Sequence, residues 1–158
     1  MSEIIQSRGR YFEEMTAGDT VESPGRTITE TDIVLFAGLT GDYNPLHTNT
    51  EYAKTTIYGE RIAHGLLGLS IASGLVWRTG ILEGTAEALI GIDLKFRAPI
   101  RIGDTIRFRG EIRKKKEMPR LNGGLVIFST TLLNQRDETV QKGTWTLLIR
   151  SRPKEQEE

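Results

Sequence analysis

The hydrophobic pattern of the chain changes once, and this change restricts the possible folds more than any other feature. Residues 62–77 are apolar on nearly every side of a helical period, whereas from Leu89 onward apolar and polar residues alternate. The alternation recurs at residues 106–112, 125–133 and 140–149, and turn-forming residues separate these runs. The pattern predicts one enclosed helix followed by four long antiparallel strands. We therefore expect an α+β fold whose sheet wraps around a long central helix.

A shorter helix is predicted upstream of the central one. Thr29, with Asp32 three residues later, is typical of the capping box that begins a helix. Gly38 or Gly41 can end this helix, because glycine readily adopts the left-handed conformation of a helix terminus. Asp42 is therefore expected just beyond the end of the helix.

The segment Thr40–Ala53 contains the densest group of side chains that can move or hold protons. Asp42, Asn44 and His47 fall within six residues, and His47 is one of only two histidines. Pro45 restricts its own φ and moves Asn44 away from the α region, which predicts a fixed loop rather than a helix. A polar loop held in one conformation is a candidate functional site.

Eleven positions in and around this segment carry the residue types of a known motif. They are Phe36, Gly38, Leu39, Thr40, Gly41, Asp42, Asn44, Pro45, Leu46, His47 and Ala53. Together they resemble the hydratase 2 motif of the MaoC-like dehydratases, the family of (R)-specific enoyl-CoA hydratases. Residues 58–65 (YGERIAHG) are similar to the approach to the central helix of that family. The resemblance covers roughly residues 10–150.

The resemblance implies a single hot-dog domain over residues 1–158, with an ordered core at about 10–150. The segment 151–158 is rich in charge and is predicted to be a disordered tail. We see no internal repeat, so a single rather than a double hot dog is expected. Proteins of this family typically pair edge to edge, which implies a homodimer or a higher homo-oligomer built from dimers.

The activity implied by the resemblance is that of a hydro-lyase. It adds water to a trans-2-enoyl-CoA or dehydrates an (R)-3-hydroxyacyl-CoA. This reaction needs a base for the water, an acid for the α-carbon and donors for the developing enolate oxygen. The family assigns the first two roles to residues matching Asp42 and His47, and the third to the backbone N–H of Gly65. No metal or separate cofactor is required, since coenzyme A arrives as part of the substrate.

Three further assignments stay open at the level of sequence. Asn44 either supports a catalytic group or simply favours the turn before Pro45. His64 could contact the substrate, although a packed or capping histidine is the more common role at a helix start. The run Arg113–Lys116 could bind the phosphates of coenzyme A, or it could be a solvated strand end. The acyl group is undetermined, because branched, dicarboxylic and fatty chains are equally compatible with the sequence.

Composition narrows the possible partners and location. The 21 basic and 21 acidic residues cancel, which argues against nucleic acid or an anionic membrane as the main partner. The longest apolar run falls short of the ~20 residues that span a bilayer. The chain has no cysteine, and its first fifteen residues lack the apolar core of a signal peptide. A cytoplasmic protein is the resulting expectation.

Two other functions are compatible with the predicted fold. A hot-dog thioesterase would hydrolyse the thioester instead, but such enzymes generally lack the Asp42 and His47 pair at this spacing. A non-catalytic acyl-CoA-binding regulator of transcription would need a basic DNA-binding segment, which this sequence does not show.

Overall fold

One long helix and four long strands dominate the fold, as the hydrophobic pattern predicts. The structure is a computed structural model that describes residues 9–154. Its helices are α1 (Glu30–Thr40), α2 (Pro45–Thr48), α3 (Thr50–Ala53) and α4 (Gly65–Arg78). Its strands are β1 (Thr20–Glu22), β2 (Arg26–Thr27), β3 (Ala86–Phe96), β4 (Thr105–Met118), β5 (Gly123–Leu133) and β6 (Thr139–Arg150). Within this range, none of the helices combines the length and the apolarity needed to cross a membrane.

The strands form one antiparallel sheet in the order β1-β4-β5-β6-β3, and β2 also pairs with β4. The three strands in the centre of this order are paired along most of their length. In the described chain β3 pairs with β6 alone, so it forms one edge of the sheet.

The core lies between α4 and one face of the sheet. Leu67, Ile71 and Leu75 of α4 belong to the same buried cluster as Phe108 and Trp145 of the strands. A Cβ atom added to Gly68 would lie 2.5 Å from the side chain of Gln141, so a small residue is needed where helix and sheet approach. This arrangement confirms the predicted α+β hot-dog fold.

The ends of α1 follow the sequence signals. The Thr29 side chain accepts a hydrogen bond from the Asp32 N–H, and the Asp32 carboxylate accepts one from the Thr29 N–H at 2.8 Å. The helix ends at Gly41, which has a φ of 77°. Asp42 therefore lies just beyond the C-cap of the helix, as predicted.

The start of α4 differs from the prediction. The apolar pattern placed it at Ile62, but the helix begins at Gly65. Ile62 forms a β-bridge with Arg101, and the Ala63 N–H donates to the Ile100 carbonyl at 2.8 Å. Pairing with this neighbouring segment holds residues 62–63 in an extended conformation, which hydrophobic periodicity alone does not reveal.

Two elements are exposed in the single chain, α4, which was expected to be enclosed, and β3. On α4, Leu66 is 59% exposed and Trp77 is 56% exposed, so the helix is not enclosed on every side. Every residue of β3 is exposed except the half-buried Leu94, although its apolar residues alternate as in a strand with one buried face. The predicted enclosure of α4 is therefore wrong for one chain alone.

The predicted charged tail is ordered at its beginning. The Ser151 N–H donates to the Asn122 carbonyl at 2.9 Å, and Arg152 bonds the carboxylates of Glu13 and Glu14. Disorder is thus wrong for residues 151–152. Residues 155–158 of the tail lie outside the described residues, as do residues 1–8 at the other end.

Candidate active site

His47 is positioned by the short helix α2 rather than by the predicted loop. Asn44 caps this helix, its side-chain oxygen accepting a hydrogen bond from the Leu46 N–H at 3.0 Å. Pro45 is the first helical residue, where a missing N–H costs nothing because that group has no partner inside the helix. The loop prediction is therefore wrong at Pro45–Thr48. Asn44 does support the segment that carries His47.

The hydrogen bond of the His47 ring defines where it can accept a proton. Its Nδ1 lies 2.7 Å from the carbonyl oxygen of Ile62, and a carbonyl only accepts, so Nδ1 carries the proton in the neutral ring. The lone pair is then on Nε2. Burial lowers the pKa of His47 and outweighs the hydrogen bond to the Ile62 carbonyl, which raises it; the neighbouring His64 lowers the pKa further, and Asp42 has the smallest effect, which raises it. The His47 imidazole is therefore held in its neutral form, with Nε2 as the atom that accepts a proton.

Asp42 lies close to this imidazole. A carboxylate oxygen of Asp42 and one ring nitrogen each of His47 and His64 lie within 4.8 Å of one another. Asp42 Oδ1 also accepts a hydrogen bond from the Asn44 N–H at 3.2 Å, which restrains the side chain. Two hydrogen bonds of ordinary length that meet at one water separate their acceptors by about 4.5 Å. The spacing of Asp42 and His47 therefore suits a single bridging water.

The side chain of His64 contacts both His47 and the main chain of Asp42. Its ring stacks on the His47 ring with centroids 3.8 Å apart and 29° between the planes, and Phe36 contacts it at 5.0 Å. Its Nε2 lies 2.9 Å from the main-chain carbonyl of Asp42. His64 is the N-cap residue of α4 but makes no capping hydrogen bond with its side chain. The structure therefore agrees with a packed histidine at this helix start and not with a histidine whose side chain caps the helix.

Asp42, His47 and His64 form the one group within residues 9–154 whose donor atoms are close enough for a metal ion to be considered. Nδ1 of His47 and Nε2 of His64 donate their protons to carbonyl oxygens, so each neutral ring keeps a lone pair on its other nitrogen. A lone pair held in this way can accept a proton or bind a metal ion.

A cavity of about 660 Å³ adjoins His47 and the start of α4. Its lining is mainly apolar and consists of Leu46, His47, Tyr58, Ile62, Ala63, Gly65, Leu66, Phe96, Arg97, Ala98, Pro99, Ile100 and Gln141. Neither His64 nor Asp42 is among these residues in the single chain, so the structure gives no support to a substrate contact by His64. A second cavity of about 180 Å³ also touches His47, on the side of α1.

The cavity includes the predicted oxyanion donor. Gly65 is the first residue of α4, where the backbone N–H has no acceptor within the helix and the helix dipole favours negative charge. Gln141 Nε2 donates to the Gly65 carbonyl at 2.7 Å and so ties this helix start to β6. Sequence reasoning did not identify Gln141. The available signal was an amide at a strand position next to the buried Val140.

The basic run Arg113–Lys116 lies away from the cavity. Lys115 Nζ bonds the carbonyl oxygens of Phe12 and Met15, and Arg113 pairs with Glu111. Arg97 differs, since it lines the cavity and forms no ion pair with any residue of the described chain. Arg97 rather than the basic run is placed to meet an anionic part of a ligand in the cavity.

Comparison with known proteins adds independent observations. The family described as MaoC like domain matches residues 12–126. An (R)-specific enoyl-CoA hydratase from Rhodospirillum rubrum is 45% identical over 96 residues, which are 61% of this chain and 65% of that protein. The chain therefore spans slightly less than two thirds of the length of this relative.

Two solved structures are similar in fold. A monoamine oxidase regulatory protein from Archaeoglobus is 41% identical with a TM-score of 0.86, over 94% of this chain and all of that one. A protein from Mycobacterium tuberculosis with a double hot-dog fold has a TM-score of 0.83 at 19% identity, over 98% of this chain and 48% of that one. At that identity the similarity concerns the fold alone, and it agrees with the single hot dog described above.

Proposed function

Because this chain belongs to the MaoC-like dehydratase family, we propose that it is a hydro-lyase that adds water to a trans-2-enoyl-CoA or dehydrates an (R)-3-hydroxyacyl-CoA. The observation that carries the proposal is the proximity of Asp42 and His47, a carboxylate oxygen and a ring nitrogen within 4.8 Å of one another, which suits one water between the two side chains. The named activity of the Rhodospirillum relative is the same reaction.

The proposed mechanism assigns one proton transfer to each step. His47 Nε2 takes a proton from the bridging water while the water oxygen forms a bond to C3 of the enoyl group. The C2–C3 double bond shifts its electrons towards the thioester carbonyl, whose oxygen is held by the Gly65 N–H. The enolate then collapses and C2 takes the proton back from the imidazolium. Asp42 orients the water and stabilises the charged imidazolium.

These steps need no group beyond the residues named and the coenzyme A thioester. His47 serves as base and then as acid, so the proton balance closes within one turnover. The Gly65 N–H supplies the charge stabilisation that a metal ion provides in other enzymes. We therefore propose a reaction without a resident metal or cofactor, and we expect chelators to leave the rate unchanged.

We further propose that a second copy of this chain completes the cavity. The edge strand β3 has unpaired backbone groups on one side and carries the exposed Ile90 and Phe96. Phe96 and Leu66 are both more than half exposed and both line the cavity. Natural sheets rarely leave a long apolar edge open to water. Pairing of two β3 edges would cover these side chains and close the cavity wall.

A panel of enoyl-CoA thioesters of different length, branching and charge tests the proposed activity. We expect loss of the conjugated double bond without release of free thiol, and the preferred thioester identifies the acyl group. Release of thiol would support the thioesterase instead. Binding of acyl-CoA without any turnover would support a regulator, a role named for the Archaeoglobus structure. A cytoplasmic location stays a prediction, which cell fractionation tests.

A further inference from the structure

The His64 ring connects the two proposed catalytic residues without reaching the cavity. It contacts the main chain of Asp42 through Nε2 at 2.9 Å, and it stacks on the imidazole of His47 at 3.8 Å. Only 3% of the residue is exposed. Its peptide carbonyl accepts hydrogen bonds from the Leu67 and Gly68 N–H groups, which anchors the residue to the first turn of α4. One side chain thus joins the segment 42–47 to the helix start that carries Gly65.

The protonation of His64 follows from its partner. Because the Asp42 carbonyl oxygen only accepts, Nε2 must carry the proton in the neutral ring. The lone pair is then on Nδ1, which is buried and has no hydrogen-bond partner in the described chain. An unpaired buried acceptor destabilises the fold. A phenyl ring of similar size would avoid this cost if packing were the sole role of the residue.

We propose that His64 is a positioning residue for the hydration reaction. Its Nε2–H fixes the main chain of Asp42, and its flat ring holds the His47 imidazole at the angle at which Nε2 meets the water. This inference rests on the proposed function and extends it to a residue that does not touch substrate. The stack also places the His64 ring against the His47 imidazole, and this neighbour contributes to the lowered pKa of His47.

Three substitutions separate the hydrogen bond from the packing. His64→Gln places an amide N–H near the position of Nε2 and retains the donor. His64→Asn places its amide near the position of Nδ1 and loses the donor, and His64→Phe retains the ring but has no donor. We expect His64→Phe and His64→Asn to lower kcat by about 10²-fold, the loss typical of a catalytic group misplaced by about 1 Å. KM should change little, and His64→Gln should retain most of the parental kcat.

A second measurement does not depend on activity. The chain has two histidines with two ring nitrogens each, so NMR of the ring nitrogens yields two pairs of signals, which folded His64→Gln assigns. We expect opposite tautomers at neutral pH, with the proton on Nδ1 of His47 and on Nε2 of His64. A proton on Nδ1 of His64 would overturn the inference.

The outcomes also distinguish this inference from the proposed function. A parent that hydrates enoyl-CoA while His64→Phe matches its kcat would leave the function standing and remove the positioning role. An increase in KM with unchanged kcat in all three variants would likewise remove it, because that pattern indicates a substrate contact. A parent with the expected tautomers but no hydration of any thioester would instead refute the function.

Discussion

Burial lowers the pKa of His47, and this shift sets the pH range in which the residue can accept a proton. The neutral form is the active base for hydration, so the rate is lost only when the pH falls through the pKa of the folded protein. We expect the acid limb of kcat/KM for hydration to lie below 6.5, the ordinary value for histidine. A pH profile of the parent measures this directly. An acid limb at or above 6.5 would contradict a buried neutral base.

The same shift has a consequence for stability. As the pH falls below 6.5, the unfolded chain binds a proton on His47 before the folded chain does. The contribution of His47 is therefore fully present above 6.5 and declines as the pH falls towards the pKa of the folded state. The stability contributed by His47 falls with decreasing pH because folding favours the neutral form of this residue.

At the scale of single elements, α2 and α3 offer a matched pair of caps. Asn44 and Asn49 each begin a four-residue helix, and each side-chain oxygen accepts an N–H hydrogen bond at 3.0 Å. Replacing either with alanine should lower the free energy of unfolding by about 1 kcal/mol. Only Asn44→Ala should also lower kcat, because α2 carries His47. Denaturant unfolding and steady-state kinetics measure the two effects.

The control in this comparison is Asn49→Ala, since it removes a side-chain cap of the same type from α3 and keeps the Asn49 N–H that donates to the Pro45 carbonyl at the end of α2. Equal losses of kcat in both variants would show that general destabilisation, and not the placement of His47, accounts for the effect. Unchanged kcat in Asn44→Ala would show that Pro45 alone positions the helix.

The sequence correctly predicts those elements that depend on residues close together in the chain. The capping box at Thr29 and the glycine at position 41 place α1 and Asp42 correctly, because both act within a few residues. The start of α4 was wrong by three residues, since the bridge between Ile62 and Arg101 joins positions far apart in sequence. Gln141 was missed for the same reason. Its role depends on contact with Gly65 across the core.

The alternation in β3 shows a different limit. The same alternation of apolar residues is expected in the sequence whether the apolar face of a strand is covered by its own chain or by a second copy. Ile90 is 56% exposed in the single chain, so the pattern records a face that this chain does not cover itself. At the scale of the whole molecule, the exposed apolar residues of β3 and α4 are therefore best explained by association of two chains.

A charge introduced at the edge tests this association. We expect the parent to be at least a homodimer by light scattering at micromolar concentration. Ile90→Lys should weaken the dimer, because unpaired lysines on an edge strand oppose strand pairing. Activity should fall with the dimer, since the exposed Phe96 and Leu66 line the cavity.

Leu121→Lys is the matched control, since Leu121 is 54% exposed but lies in the turn between β4 and β5, away from the cavity. It should leave both mass and activity unchanged. A monomeric parent that is fully active would exclude a partner that completes the cavity.

We propose that Asp42 and His47 of one chain act together in the hydration of an enoyl thioester. The most direct test is the rate at which the conjugated double bond of the preferred enoyl-CoA is lost, compared between the parent, Asp42→Asn and His47→Ala. Circular dichroism and light scattering establish that each variant keeps its fold and its oligomeric state. Each substitution is predicted to lower the rate by about 10²–10⁴-fold, because His47 is the positioned acid–base group and the Asp42 carboxylate orients the water and stabilises the imidazolium. Near-parental turnover in either folded variant would contradict the account.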